Sequence, residues 1–488
     1  METLNLSQQA RSGRKISGLV DLVSCQTRKQ IKLKPGLVGP TFTMSFQQPN
    51  ILFICSDQHQ TLAAGCYGHT EVQTPNIDRL AATGVRFNRA YCQSPVCVPA
   101  RGSIITGLYP HQHRAKILQD SLPAEIPTIA HHFSQHGYQT AAIGKMNFVD
   151  EKQNHGFDYR LKLSDFRQTL TDTERQELSR DQNKKGNMGR PSRLSAHYFQ
   201  DTYYAEETER YLRQKRDANR PFILWASFFM PHTPLVPMLK YFNLYNPEKL
   251  ALPQRSVNAL TTGFEGHLIR ARQRGWYDQT DAELSYALAG YYGNISQMDA
   301  DVGKVLDTLY DLGLDQNTII VYTSDHGEMA GAHRMWTKHN MYEQSVNVPL
   351  IIRLPGDQKA GTVQDHLIEH IDIYPTLAEL CQLPAPNNIQ GRSFAPLFSS
   401  QRYIPRKHVY SEYHFCHGVF TRDNRYVGQT PILMVRTDKW KLNHLSWGRS
   451  ELFDLEEDPN EFMNVIDQPE VEGIVCDLVE IAKKMYSL

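Results

Sequence analysis

"NTIIVYTSDHG", residues 317–327, is a β-prone apolar run that stops abruptly on Asp325-His326. "NILFICSDQ", residues 50–58, repeats the design and stops on Asp57-Gln58. Three further runs resemble them: "QTAAIGKMN" (139–147), "PFILWASFFMPH" (221–232) and "VPLIIRLPG" (348–356). Apolar runs of this length suit strands covered on both faces of a parallel sheet. Helical patterns lie between them. "TPNIDRLAATG" offers Thr74 as a cap, Pro75 at the first helical position and Gly84 as the stop. Leu284, Leu288, Tyr292, Ile295, Met298, Val302, Val305 and Leu309 recur three or four apart, which predicts one long amphipathic helix. Strands alternating with helices predict an α/β fold with a wound, mostly parallel sheet flanked by helices.

The chain has 488 residues, with 52 Lys+Arg against 52 Asp+Glu. With no net charge there is no bulk field to gather nucleic acid or anionic lipid, so neither is expected as a partner. No apolar run approaches the roughly 20 residues that span a bilayer. The eight cysteines are scattered without a CxxC pair, which predicts reduced thiols and a cytoplasmic protein. Residues 1–43 are polar and basic, lack a secretory apolar region, and read as a loose leader upstream of Met44, an upstream start codon being one origin. Residues 44–405 read as the catalytic domain. Residues 165–220 form a charged excursion within it, expected to be solvated. Residues 406–488 read as a smaller C-terminal α+β subdomain, with strands, a turn and a closing helix drawn from 432–444 and 450–465. Pocket walls are expected from 165–220, from 238–282 and near "SEYHFCHGVF" (411–420).

Polar residues fall where the strands end: Asp57-Gln58, Lys145 and Asn147, His232, and Asp325-His326. Wound α/β sheets bind ligands at the carboxyl ends of their strands. Asp57, Gln58, Asp325 and His326 form an oxygen-dominated set that favours Ca²⁺, Mg²⁺ or Mn²⁺ over zinc. Either pair alone would equally cap a following helix. "CQSPVCVPARGSIITGLYPHQHR" (92–114) adds Cys97 in a C-x-P-x-R pattern, expected in roughly 0.05 copies by chance. A helix starting beside Cys97 would aim free amides at an anion, and Arg101 supplies a forked cation for an oxyanion. A nucleophilic thiol and an inert buried one are both open readings of Cys97.

Taken together, "PNILFICSDQ", the long block through "CVPARGSIITGLYPHQH", "GYQTAAIGKMNF", "FFMPHTP", "TSDHGEMAGAHRMWTKHNMYEQ" and "MVRTDKWKLNH" resemble the sulfatase family of the alkaline-phosphatase superfamily, in the family's order. The resemblance implies an alkaline-phosphatase-like fold and hydrolysis of sulfate esters. It implies that Cys97 is oxidised to Cα-formylglycine by a formylglycine-generating or sulfatase-maturing enzyme, and that one hydroxyl of the aldehyde hydrate attacks sulfur while the other later releases sulfate. It further implies a divalent metal, Ca²⁺ by family preference, on Asp57, Gln58, Asp325, His326 and the modified Cys97. Arg101 would orient the hydrate. Lys145 and Lys338 would neutralise sulfate, and His232 would serve the leaving oxygen. The partner on this reading is a small-molecule sulfate ester; self-association is left open.

Two positions depart from the family pattern. Asn147 stands where a histidine usually follows the "GK" pair, and an amide accepts no proton at neutral pH. His111, His113 or His339 would then have to supply the base. Gln58 stands where many sulfatases carry Asp, as in the phosphonate monoester hydrolase and phosphodiesterase branch, while "GKMNFVDEKQNHGFD" leans to choline-sulfatases. A phosphodiester or phosphonate monoester hydrolase is therefore the second reading, and an inactive binding protein, supported only by Asn147, the third.

Overall fold

A computed structural model describes residues 48–183, 188–415 and 431–487; the expected leader, 1–43, lies outside them. The main sheet is built from β1 (Asn50–Asp57), β2 (Val85–Tyr91), β3 (Gln139–Gly144), β4 (Tyr159–Leu161), β5 (Phe222–Pro231), β6 (Thr318–Ser324), β7 (Asn347–Arg353), β8 (Thr362–Gln364) and β9 (Ile368–Glu369). Its order is β4-β3-β5-β1-β6-β7-β2-β8, with β9 also on β2. The five strands from β4 to β6 run parallel, so the sheet is wound and mostly parallel, as the apolar runs predict. β7 is the exception: it pairs antiparallel with both β6 and β2. Its apolar run cannot reveal direction, because burial on both faces gives the same pattern either way.

Successive residues of β1 feed opposite sides of the sheet. Ile51, Phe53 and Cys55 join one core with Val98, Ile104 and Ile105, and Phe53 stacks on Trp225 at 3.8 Å. Leu52 and Ile54 join the other with Met298, Val302, Val305 and Leu309. Each such side chain contributes roughly 2 kcal/mol by leaving water.

Seven helices carry the rest of the argument: α1 (Pro75–Thr83), α2 (Cys97–Thr106), α3 (Leu163–Thr169), α4 (Asp172–Gln182), α5 (Gln200–Arg210), α6 (Asp281–Asp311) and α7 (Glu472–Tyr486). The long amphipathic pattern is α6, and it runs through the core. α1 begins at Pro75, but Thr74 makes no capping bond with its side chain. Asp299 of α6 does that work, accepting from the backbone of Asn76 at 3.1 Å and Ile77 at 2.8 Å. Gly84 ends α1 in an extended conformation, and a Cβ there would sit 2.9 Å from the Ile352 carbonyl. Close approach, not a left-handed turn, selects glycine. The excursion 165–220 is only partly solvated. α4 buries nothing, whereas α5 sinks Tyr204, Ala205 and Thr208 against the sheet.

A second sheet, antiparallel, is ordered β10 (Val409–Tyr413), β11 (Ile432–Arg436), β12 (Trp440–His444) and β13 (Glu451–Asp454). α7 packs on it, its closing helix starting at Glu472 after a turn-rich stretch. Residues 47–488 form one compact unit.

Replacing Asp299 leaves the first amides of α1 buried without an acceptor. D299A is expected to lose about 2 kcal/mol in urea unfolding. Burial raises the Asp299 carboxyl to about 6, although the α1 amides oppose this. A raised acid favours the protonated fold, so wild type should lose stability relative to D299N as pH climbs from about 4 to about 6.

Candidate active site

Four neighbouring parallel strands, β3, β5, β1 and β6, deliver Lys145, His232, Asp57 and Asp325 at their carboxyl ends. Register does the placing. Asp57 lies opposite Pro231, and Ser56 lies opposite Ser324, so Asp325 follows directly beside Asp57. Gly144 turns β3 toward the site with φ +98°; a Cβ there would fall 2.0 Å from the Ser227 carbonyl, so only glycine fits. Lys145 follows, its amide bonded to that same carbonyl at 3.1 Å.

Cys97 is the first residue of α2, and no side chain caps that helix start. One ligand atom each from Asp57, Cys97, Asp325 and His326 lie within 4.8 Å of one another, all buried. The Cys97 Sγ is 3.2 Å from His326 Nε2 and 3.8 Å from Asp57 Oδ1. Two carboxylates, an imidazole and a residue that would present an oxygen once oxidised suit a hard divalent cation, so the donors present fit such an ion.

Three cations surround the carboxylates. Arg101 Nε donates to Asp325 Oδ2 at 2.8 Å and Nη2 to Asp57 Oδ2 at 3.2 Å. Its Nη1 donates to the Lys145 carbonyl at 2.5 Å and the Ser227 hydroxyl at 2.7 Å, so that one guanidinium ties together the ends of β1, β3, β5 and β6. Lys145 Nζ meets Asp57 Oδ2 at 2.5 Å. Lys338 reaches the site from the loop after β6 and donates to Gln58 Oε1. Burial opposes ionisation of Asp57, yet Lys145 and the cations around it hold the carboxyl well below its usual range. Burial and Asp57 push the Cys97 thiol up, but Lys338, Lys145 and His326 outweigh them, so it lies below an ordinary thiol. Burial also opposes the Lys145 charge, and Asp57 restores it and raises its pKa.

His232 follows a cis Met230-Pro231 bond, and its Nδ1 donates to the Thr233 carbonyl at 2.7 Å, which leaves Nε2 for a ligand. Burial, with Lys338 and Lys145, keeps it well below the usual histidine range. Asn147 sits at φ +56°, a conformation asparagine tolerates. Lys145, Asn147 and His232 line one end of a cleft of about 730 Å³ whose other walls come from α3, α4 and α5. The excursion thus shapes the cleft.

Gln58 is buried at φ +70° with its amide held between Lys338 and Glu328. Among the three histidines weighed as a base, His111 bonds Glu412 at 2.8 Å and His113 bonds Ser103 and Pro99 beneath α2. His339 is buried with its ring near Tyr413. Sequence reasoning passed over Ser227 and Glu328. Ser227 carries no signal; Glu328 directly follows "DHG", and an acid in so apolar a loop entry was the available one.

Residues 49–383 match the family model described as "Sulfatase", and residues 331–487 match "N-sulphoglucosamine sulphohydrolase, C-terminal". The chain belongs to the sulfatase family, and it is a sulfuric ester hydrolase of the alkaline-phosphatase superfamily. Among its relatives, an arylsulfatase of Clostridium perfringens is 31% identical over 467 residues, covering 90% of this chain and 94% of that protein. A choline-sulfatase of Rhizobium meliloti is 30% identical over 454 residues, covering 87% and 84%. The phosphonate monoester hydrolase of Agrobacterium radiobacter superposes with a TM-score of 0.76 at 25% identity, covering 90% of this chain and 96% of that one. No described helix is long and apolar enough to cross a membrane.

The Arg101 guanidinium bridges two buried carboxylates and is the cation paired with Asp325, while Asp57 also has Lys145. R101A should destabilise the fold by roughly 3–5 kcal/mol, because it strands the Asp325 charge out of water and weakens the pairing of Asp57. R101K, which keeps the charge but loses the fork, should recover only part of that in thermal unfolding.

Proposed function

We propose that this sulfatase is formylglycine-dependent and acts on small-molecule sulfate esters in the cytoplasm, after a maturing enzyme has oxidised Cys97. The observation that carries the reading is the placement of Cys97 Sγ within 4.8 Å of donor atoms from Asp57, Asp325 and His326, with Arg101 and Lys145 against the two carboxylates. Asp57, Asp325, His326 and residue 97 would hold a divalent cation, Ca²⁺ by family preference, with Gln58 Oε1 as a further donor. When present, the cation polarises the sulfuryl oxygens and the aldehyde hydrate supplies the attacking hydroxyl.

The chain's own groups do the rest. Asp57, Asp325 and Glu328 are nearly balanced by Arg101, Lys145 and Lys338, so an added cation leaves a positive surplus for one sulfate monoester anion. Lys145 and Lys338 pair with its oxygens and neutralise charge as it develops on the leaving-group side. Arg101 holds the residue-97 helix, β1 and β6 in fixed relation. His232 presents Nε2 to the leaving oxygen; its low resting pKa reflects burial and two lysines whose field a bound anion cancels. Asn147 hydrogen-bonds the substrate at the mouth of the cleft and cannot take a proton.

A second reading, hydrolysis of phosphodiesters or phosphonate monoesters, is favoured by one observation. Gln58 removes a negative charge from the site, and the likeness to a phosphonate monoester hydrolase accords with that. Both substrate classes carry a single charge.

After co-expression with a maturing enzyme, p-nitrophenyl sulfate should be hydrolysed with at least tenfold higher kcat/KM than bis-p-nitrophenyl phosphate. C97A should lower kcat by more than about 10³-fold. Peptide mass spectrometry across residue 97 should find the aldehyde. An unmodified cysteine in an active enzyme contradicts the formylglycine reading, and a reversed preference installs the second one.

A further inference from the structure

Glu328 is fully buried beside the site, and apart from its charge nothing above uses it. Its Oε1 accepts the backbone N–H of Ala330 at 3.0 Å and that of Thr337. Its Oε2 accepts from Gln58 Nε2. Gln58 Oε1 in turn accepts from the Lys338 ammonium. A carboxylate only accepts, so Glu328 decides which way round the Gln58 amide sits: nitrogen toward Glu328, oxygen toward Lys338.

The loop that carries Lys338 needs such holding. Ala330, His333, Arg334, Thr337 and His339 all lie at positive φ, where residues other than glycine are strained. Glu328 grips both ends of this loop, at Ala330 and at Thr337. Met329 N bonds Thr337 O at 2.8 Å and Gly331 N bonds Met335 O at 2.9 Å between those points. Arg270 braces the outer side through the Lys338 carbonyl at 3.2 Å. The same contact accounts for glutamine at position 58. An aspartate or glutamate there would set two carboxylates against each other unless one took up a proton.

We propose that Glu328 is a positioning residue: through the Gln58 amide and the Thr337 backbone it holds Lys338 over residue 97. This rests on the sulfate-pairing role given to Lys338 under the proposed function.

The test is a double-mutant cycle of E328Q, K338A and the double variant on matured enzyme, with metal content measured for each. E328Q should lower kcat at least tenfold with KM changed less than threefold, and more for an alkyl sulfate than for p-nitrophenyl sulfate, since charge on a poor leaving group needs Lys338 most. Added to K338A, it should cost less than a further threefold. In a C97A background, calorimetric affinity for sulfate should fall equally in all three. Effects that multiply in the double variant, or a slowing equal across leaving groups, overturn the proposal while leaving Lys338 its role. A K338A enzyme at wild-type rate overturns both. If E328Q does not fold, E328D, which keeps the charge but shortens the reach to Gln58 and Thr337, takes its place. It must show the same non-additivity with K338A, and a multiplicative result overturns the proposal.

Discussion

Two carboxylates, Asp57 and Asp325, lie side by side with no exposed surface at the end of β1 and β6. Burying one such charge without a partner costs several kcal/mol, and burying two together costs more. Everything near them answers that constraint. Arg101 binds both with one guanidinium, and Lys145 joins it on the same oxygen of Asp57, Oδ2. Backbone amides of Gln58 and His326 serve Asp325 Oδ1 at 3.1 and 2.9 Å. What the constraint leaves over is a compact donor set beside Lys145 and His232, which line the cleft, and this is the arrangement proposed for a cation and an anionic ester.

The sheet exists to bring these groups together. Asp57 and Asp325 are 268 residues apart in the chain only by sequence; parallel pairing of β1 with β6 makes them neighbours. The start of α2 then lays Cys97 across them, and Arg101, one helical turn later, points back to the same carboxylates. Position 97 and position 101 must share a helix face for this, which is the physical content of the C-x-P-x-R spacing. The second sheet sends no described side chain to the carboxylates. It buttresses the site from outside through buried ion pairs such as Lys441 with Glu343 and Glu461.

The strand ends were legible because apolar runs stop there, and a polar residue at such a stop has few other reasons to be present. Asp57, Lys145, His232 and Asp325 could be read in this way from single positions. The partners of Arg101 could not, since Ser227 and the Lys145 carbonyl reach it only through tertiary placement. The direction of β7 was hidden by an apolar run that fits either orientation, and the depth of α5 by its polar composition. The cap of α1 comes from Asp299, more than 200 residues away, so Thr74 looked like the local answer. Glu328 was in plain view after "DHG", but an acid becomes informative only once its burial is known.

The most direct measurement is anomalous diffraction from crystals of the matured protein grown with Ca²⁺ or Mn²⁺. The account predicts one ion bound by Asp57, Asp325, His326 and an oxygen on residue 97, with Arg101 still joined to both carboxylates. An ion bound elsewhere, or a reduced Cys97 turned away from an empty pair of aspartates in an active enzyme, would contradict it.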